Sequence, residues 1–448
     1  MPRMKDLIVV GAGAAGLSAA VQVARSGFSV HILEARDRIG GRMFTLHDPV
    51  WQVPIELGAE FIHGLPPEIW KPLDRHQVDI AEVIGEPWCS AESRLARCSF
   101  FSSVDGILEK MSKRGADESF ASFLDRHFPV TANLKRQEAR RRALSYVTGF
   151  NAADPDRVGV HWLVQSMRAE EKIEGDRAFR SKNGYDDLLN IMRQELIETG
   201  TIVQTETVVD SVAWAKGRVE VTAHKGGKSF KLFAKRALVT LPLGVLQAST
   251  PDLGAVRFMP PLPRKKLEAL SRLAMGKVMR VTLRFRSRFW GAIRPVKGRN
   301  KTLSHMSYLF SQDEWFPTWW TKMPERPPII TGWAPPHSAE RLSGKSSSFV
   351  IEQALRALGA ALKTGSDKLE SLLDAAYFHD WQNDPFSRGA YSYGMVGSEG
   401  AQREFAMSLE NTVFFAGEAT DTTGHNGTVH GAIASGHRAA SQILRGRR

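Results

Sequence analysis

The 448-residue chain is poor in cysteine, with only Cys89 and Cys98, and it contains no CxxC or HExxH spacing. Metal sites built on such local spacings are therefore missing, and no metal is expected. The two thiols could pair, but so few cysteines fit a reducing compartment better, so a cytoplasmic protein is expected. No apolar run approaches the ~20 residues needed to cross a bilayer. An apolar strand already begins near residue 5, so no signal peptide is expected. Repeats and low-complexity segments are absent. The net charge of +12 comes without a nucleic-acid-binding module. Basic residues alternate with acids in "RQEARRRA" (136–143), and the denser "RPVKGRNK" (294–301) and terminal "RGRR" have no interleaved aromatics. No nucleic-acid partner is expected, and the basic surface reads as an aid to solubility. It does not attract cationic ligands over long range.

What is present is a soluble-type composition, 42% hydrophobic and 24% charged, on a chain long enough for two domains. Asp6-Leu7-Ile8-Val9-Val10 reads as a strand buried on both faces, and it runs into "GAGAAG". Gly11 permits the tight turn, Gly13 the approach of a pyrophosphate, and Gly16 the close packing of the following helix. The helix from Ala14 to Ala24 would aim its free N–H groups at phosphates. A second strand, Ser29 to Leu33, ends at Glu34, whose carboxylate can accept from both hydroxyls of an adenosine ribose. Arg42, after a glycine pair, can fork onto a pyrophosphate.

Further along, residues 76–180 read as mostly helical, and 183–200 as a helix with Asp186 as N-cap and Gly200 as its stop. From 201 to 242 the period changes to two, giving a series of strands. "KVMRVTLRFRSRFW" (277–290) alternates strictly, with Met279, Val281, Leu283 and Phe285 on one face and Arg280, Thr282, Arg284 and Arg286 on the other. Residues 349–363 form a helix. A last strand–glycine–helix unit at 411–444 carries Glu418, with its helix starting near Thr428.

Together "VVGAGAAGLSAA", "EARDRIGGRM", "ELGAEFIHG", "VTLPLGVLQ", "RGAYSYG" and "FFAGEATDTTGHNGTVHGAIASG" resemble the flavin-dependent amine oxidase family, in family order over nearly the whole chain. The family includes monoamine oxidases, polyamine oxidases and flavin histone demethylases. The resemblance implies an α/β fold (α+β overall): a Rossmann-like FAD-binding domain of discontinuous segments, 1–75, 183–260 and 400–448. A mixed sheet-plus-helices substrate domain, 76–182 and 261–399, is inserted between them. It implies that Glu34 binds the ribose, Arg42 the phosphates and Val209 the adenine through its backbone. It also implies that Glu418 sits near the ribitol and phosphates, and that Gly58, Ala59, Glu60 and Phe61 line the flavin ring. Thr428 and Val429 then open a helix facing the flavin's N1–C2=O edge, where a positive helix end stabilises developing charge. Ala15, Ala35, Arg36, Gly41 and Gly417 complete the implied cofactor set.

Monoamine oxidases attach the flavin to a cysteine at the position of Ala390, so the resemblance implies noncovalent FAD here. Tyr391 matches one wall of the family's aromatic cage, and Thr428 replaces the second aromatic. His63 falls where polyamine oxidases carry a histidine or glutamate near the substrate. Arg280 stands where the family places a lysine that holds a water beside flavin N5, and it cannot serve as a base. Lys277 is three residues away and points to the opposite face of a strand. The implied reaction is oxidation of an amine C–N bond by hydride transfer to flavin N5, giving imine and then aldehyde, with dioxygen reduced to hydrogen peroxide. Arg280, Tyr391, His63 and Thr428 are the catalytic candidates, and a monomer or homodimer is expected. The histone demethylases' long helical insertion is absent from this pattern, which points away from chromatin work. An L-amino-acid oxidase, with Arg280 or an arginine from "SMRAEEK" as carboxylate clamp, stays open as an alternative, as does a C–C desaturase. So does a redox-silent or electron-relay flavoprotein.

Overall fold

The computed structural model describes residues 4–91, 94–98, 104–130, 133–249, 251–295 and 301–445. The densest basic stretch, 294–301, and the tail beyond 445 lie largely outside the described residues.

Strand Lys5–Val10 is flanked in parallel by Val30–Leu33 on one side and Lys228–Val239 on the other. Leu7, Ile8 and Val9 are fully buried, because helices cover one face of this sheet and a further hydrophobic layer covers the other. The sheet has eight strands. Ile202–Gln204 forms one edge, and Val208–Ala215 and Arg218–Lys225 extend the other way to Arg257–Met259. The late strand Val413–Phe415 pairs in parallel with Ala237 to Val239, so both ends of the chain meet in one sheet. Helix Ala14–Arg25 and the closing helix Val429–Arg445 pack side by side. A Cβ on Gly436 would clash with Ser18 Oγ and the Ala15 carbonyl, and a glycine there lets the two backbones approach.

A second, seven-stranded sheet carries Met279–Phe285 in its interior, between Leu373–Tyr377 and Ile329–Ala334. The expected alternation is present, but both faces of this strand are covered. Val281 and Leu283 enter one core, while Arg280 and Thr282 are buried on the other side.

Three expectations are corrected. Three strands replace the expected helix early in 76–180: Ile80–Glu82 and Glu86–Ala91 take their pairing from distant segments, and Arg94–Arg97 adds to the latter as a hairpin, so no helical period announces them. Asp186 is the first residue of helix Asp186–Glu198 instead of its cap, and its carboxylate meets His47 Nε2 at 2.9 Å. A carboxylate in the first turn still suits the helix dipole. Gly200, at φ 66°, ends that helix as expected. Finally, Cys89 and Cys98 form a disulfide, because the hairpin of 86–91 and 94–97 brings their Cα atoms to 5.7 Å. The cysteine argument for a reducing compartment therefore falls away. Among the described residues, no helix is long and apolar enough to cross a membrane.

Candidate active site

A cavity of about 1040 Å³ runs from the glycine turn to the second sheet. It is lined by every residue of the expected cofactor set except Gly16, and by Arg280, Tyr391, His63 and Thr428 as well. Gly16 lies beneath the turn: a Cβ there would overlap the Gly11 carbonyl oxygen and come within 3.0 Å of Thr240 Oγ1.

At the nucleotide end, the buried Glu34 carboxylate accepts from the backbone N–H of Ala12 at 2.8 Å and of Arg36 at 3.0 Å. These bonds fix the carboxylate across the turn with lone pairs to spare. Arg36 reaches Asp384 at 2.7 Å, and His379 meets the same carboxylate at 2.8 Å. Burial alone would raise Asp384, but these two partners hold it down at about 2. Val209 sits where the strand register shifts between Val209 and Ser211, an irregularity that frees backbone groups at the cavity edge.

Towards the middle, Arg42 Nη1 donates to Glu418 Oε1 and to the Ala390 carbonyl, both at 2.8 Å. Glu418 also accepts from Gly427 N–H at 2.9 Å. The first turn of the closing helix follows. Thr428 Oγ1 accepts from Gly431 N–H at 3.0 Å and donates to the His425 carbonyl at 2.7 Å, so its hydroxyl is committed to capping.

Beyond Gly58 lies a buried charge cluster. Glu60 Oε2 accepts from Arg280 Nη2 at 2.6 Å and from Trp320 Nε1 at 3.0 Å, and Glu60 Oε1 lies 2.7 Å from Arg180 Nε. Arg280 Nη1 donates to the Gly58 carbonyl at 2.8 Å. Burial pushes Glu60 up, but Arg180, Arg280 and then Lys322 pull it further down, and it stays ionised below the ordinary carboxylate range. Lys277, as expected, is elsewhere, paired with Glu340 at 2.7 Å.

Glu56 adjoins this cluster with a different balance. Burial raises it to about 7, against the pull of Lys322, Tyr185 N–H and the Thr45 hydroxyl. A carboxyl raised from 4.5 when folded binds its proton more tightly than in the unfolded chain. That stabilisation is complete below pH ~4.5 and lost as pH rises through about 7, by roughly 3 kcal/mol in all. Glu56→Gln removes the titration. Its denaturation midpoint relative to the parent should therefore improve from pH 5 to pH 8, and an unchanged difference would refute the assignment.

The remaining end is aromatic. Tyr391 donates to the Phe150 carbonyl at 2.9 Å, and His63 lies edge-on to Phe150 with centroids 5.3 Å apart. Burial lowers the His63 pKa, partly offset by Glu170. Tyr146, Phe150, Trp320 and Trp333 line this end and were not singled out from the sequence. Nor were Glu170 and Glu171, which border the cavity from "SMRAEEK", the stretch considered as a source of an arginine clamp. Arg168 itself is exposed. The helix turns Glu170 inward and Arg168 out, while Glu171 stands exposed at the cavity rim.

The glycine turn, the helix N-terminus and the buried Glu34 carboxylate have the form of a dinucleotide site, and the cavity beyond has room for a large planar ring and a further ligand. These features describe a dinucleotide-dependent oxidoreductase. Residues 94–444 match the family model "Flavin containing amine oxidoreductase", and residues 9–75 match "NAD(P)-binding Rossmann-like domain". The chain belongs to the flavin-containing amine oxidoreductase family, with FAD as its cofactor. The Arabidopsis thaliana protein "Lysine-specific histone demethylase 1 homolog 2" is 28% identical, aligned over 98% of this chain and 58% of its own length. Rice (Oryza sativa subsp. japonica) "Polyamine oxidase 4" is 25% identical over 98% of this chain and 88% of its own. This chain thus spans little more than half of that demethylase relative. A solved structure of wild-type putrescine oxidase bound to putrescine shares the fold, with a TM-score of 0.79, 19% identity and 99% of both chains covered.

Proposed function

We propose that this protein oxidises the C–N bond of a diamine or polyamine-like substrate with noncovalent FAD and dioxygen as acceptor. The acidic border of the aromatic end carries this reading: Glu170 and Glu171 line the cavity there together with Tyr391 and His63, whereas Arg36 and Arg42 at the cofactor end are already paired with Asp384 and Glu418. When bound, FAD supplies the redox chemistry, taking a hydride equivalent from the carbon beside nitrogen and passing the electrons to dioxygen as hydrogen peroxide. Ala390 offers no thiol, and both cysteines are already in a disulfide, so no thioether to the flavin can form.

The chain's own residues bind and orient. Tyr391, tethered to the Phe150 carbonyl, presents a fixed ring against which an uncharged amine packs. His63, held towards its neutral form, can accept a hydrogen bond or a proton from nitrogen. Glu170 anchors a second, distant ammonium group. The helix end at Val429 and the Arg180–Arg280 pair favour negative charge on the reduced cofactor. Both terminal nitrogens of Arg280 are taken by Gly58 and Glu60, which disfavours it as the carboxylate clamp of an amino-acid oxidase.

Anaerobic mixing with monoamines, diamines, polyamines and amino acids tests the reading directly. Bleaching of the flavin absorbance by diamines or polyamines, and its return with peroxide on admitting air, is the expected result. Bleaching by amino acids alone, or by nothing, would overturn it. Glu170→Gln should raise KM for a diamine by roughly ten- to hundredfold, the loss of a charge-assisted hydrogen bond of about 1.5–3 kcal/mol. KM for a monoamine of similar length should move little, and steady-state kinetics with both substrates checks this.

A further inference from the structure

Three potential ligands from separate segments converge on the aromatic end of the cavity. Glu170 ends helix Val160–Glu171, His425 lies in the glycine-rich loop, and His430 sits in the first turn of the closing helix. One ligating atom from each lies within 4.8 Å of the other two. His425 Nδ1 is 3.3 Å from Glu170 Oε1, and His430 Nε2 is 3.9 Å from the same oxygen. The two imidazoles meet nearly edge to face, with centroids 4.6 Å apart. Ligands held ~2.0–2.1 Å from a tetrahedral ion stand about 3.3 Å from one another, so only small side-chain adjustments are needed to close on one.

Two observations indicate that this cluster is more than an ion pair. His430 is only 3% exposed, yet its Nε2 has no hydrogen-bond partner among the described residues. The buried Glu170 Oε2 is likewise unpartnered. Unsatisfied buried polar atoms require an explanation, and a bound ion shared by these two would supply it. The backbone around the cluster is braced as well. Asp421 Oδ2 accepts from the N–H groups of Thr423, Gly424 and His425 at 2.9–3.0 Å. Gly424, at φ 106°, packs so closely on Ala169 and Gln165, in the helix that carries Glu170, that a Cβ would lie 2.9 Å from each.

We propose that Glu170, His425 and His430 form a binding site for one divalent transition-metal ion of the zinc class, with its open coordination position towards the cavity. Two imidazoles and one carboxylate are a donor set suited to Zn²⁺ or Co²⁺, and three protein ligands leave room for a water or an amine nitrogen. The site does not depend on the proposed substrate. If Glu170 also anchors a distant ammonium, the ion and a diamine compete for it.

The test uses FAD-loaded protein, freed of metal with a chelator and desalted, with no amine present. Zn²⁺ is titrated by calorimetry, and Co²⁺ is followed through its visible d–d bands to the red of the flavin absorbance. One ion per chain with micromolar or tighter affinity is expected, with d–d intensity indicating tetrahedral or five-coordinate geometry. His425→Ala and Glu170→Gln should each weaken binding at least about tenfold. If one variant no longer retains FAD, the other decides. Absence of saturable binding overturns the site. So does parent-like binding by the variants, which would move the ion to a surface pair such as His224–Asp210. Loss of metal binding leaves the amine reading standing, and failure of amine oxidation leaves the metal site standing.

Discussion

Gly16→Val should yield a colourless protein. The first atom of the new side chain falls on the Gly11 carbonyl oxygen, with Thr240 Oγ1 3.0 Å away, so it finds no space in any rotamer. Gly11 cannot yield, because its φ of 105° and the Thr240 Oγ1 hydrogen bonds to the Val10 and Gly11 carbonyls hold the turn closed. Relief comes only by displacing helix Ala14–Arg25 from the strand before it. That moves the helix's free N–H groups away from the cavity and loosens the seam with the closing helix. Overpacking alone costs about 1–3 kcal/mol. The larger effect is on the cofactor, since the groups that fold around it no longer converge. Flavin absorbance per chain after gel filtration measures the outcome, and a normally yellow Gly16→Val protein would refute the account.

Glu60→Ala should be the most destabilising single substitution in the cavity wall, by about 3–5 kcal/mol. The carboxylate stands between two guanidinium groups, and the side chains of both Arg180 and Arg280 are 5% exposed. Removing it leaves two positive charges facing each other in a buried site and orphans Trp320 Nε1. Substituting Arg180→Met in the same chain should restore part of the loss, because one buried charge then has no opponent to repel. Urea denaturation of the two variants and the double variant measures this coupling. Strict additivity would show that the three groups do not act as a unit.

Much of the nucleotide end was legible in the sequence, because its signals are local. A strand, three glycines, a helix and Glu34 succeed one another within the first 34 residues, and each constrains the next. The position of Arg280 was legible too, by strand register. Its role was not, since Glu60 comes from a distant loop, and Arg180 and Trp320 from two other strands. The inward turn of Glu170 within "SMRAEEK" illustrates the same limit. Its composition offers an arginine and two glutamates equally, and only the packing of the helix decides which side chains face the cavity. The number of cysteines does not reveal the Cys89–Cys98 bond, because it follows from a hairpin, one strand of which aligns against the distant Met306–Phe310.

The meeting of the two chain ends in one sheet has a consequence for biosynthesis. Strand Val413–Phe415 takes its place beside Val239, and the closing helix lies along the helix that begins at Ala14, so the cofactor cavity is incomplete until residues through that closing helix have left the ribosome. A polypeptide emerging at about 5–20 residues per second carries its glycine turn, unfilled, for tens of seconds before the partner surface exists. FAD can then bind fully only to the finished molecule, and by mass action it draws the population towards the native form. Riboflavin supply should therefore govern how much of this protein accumulates in a cell, as well as how much of it is active.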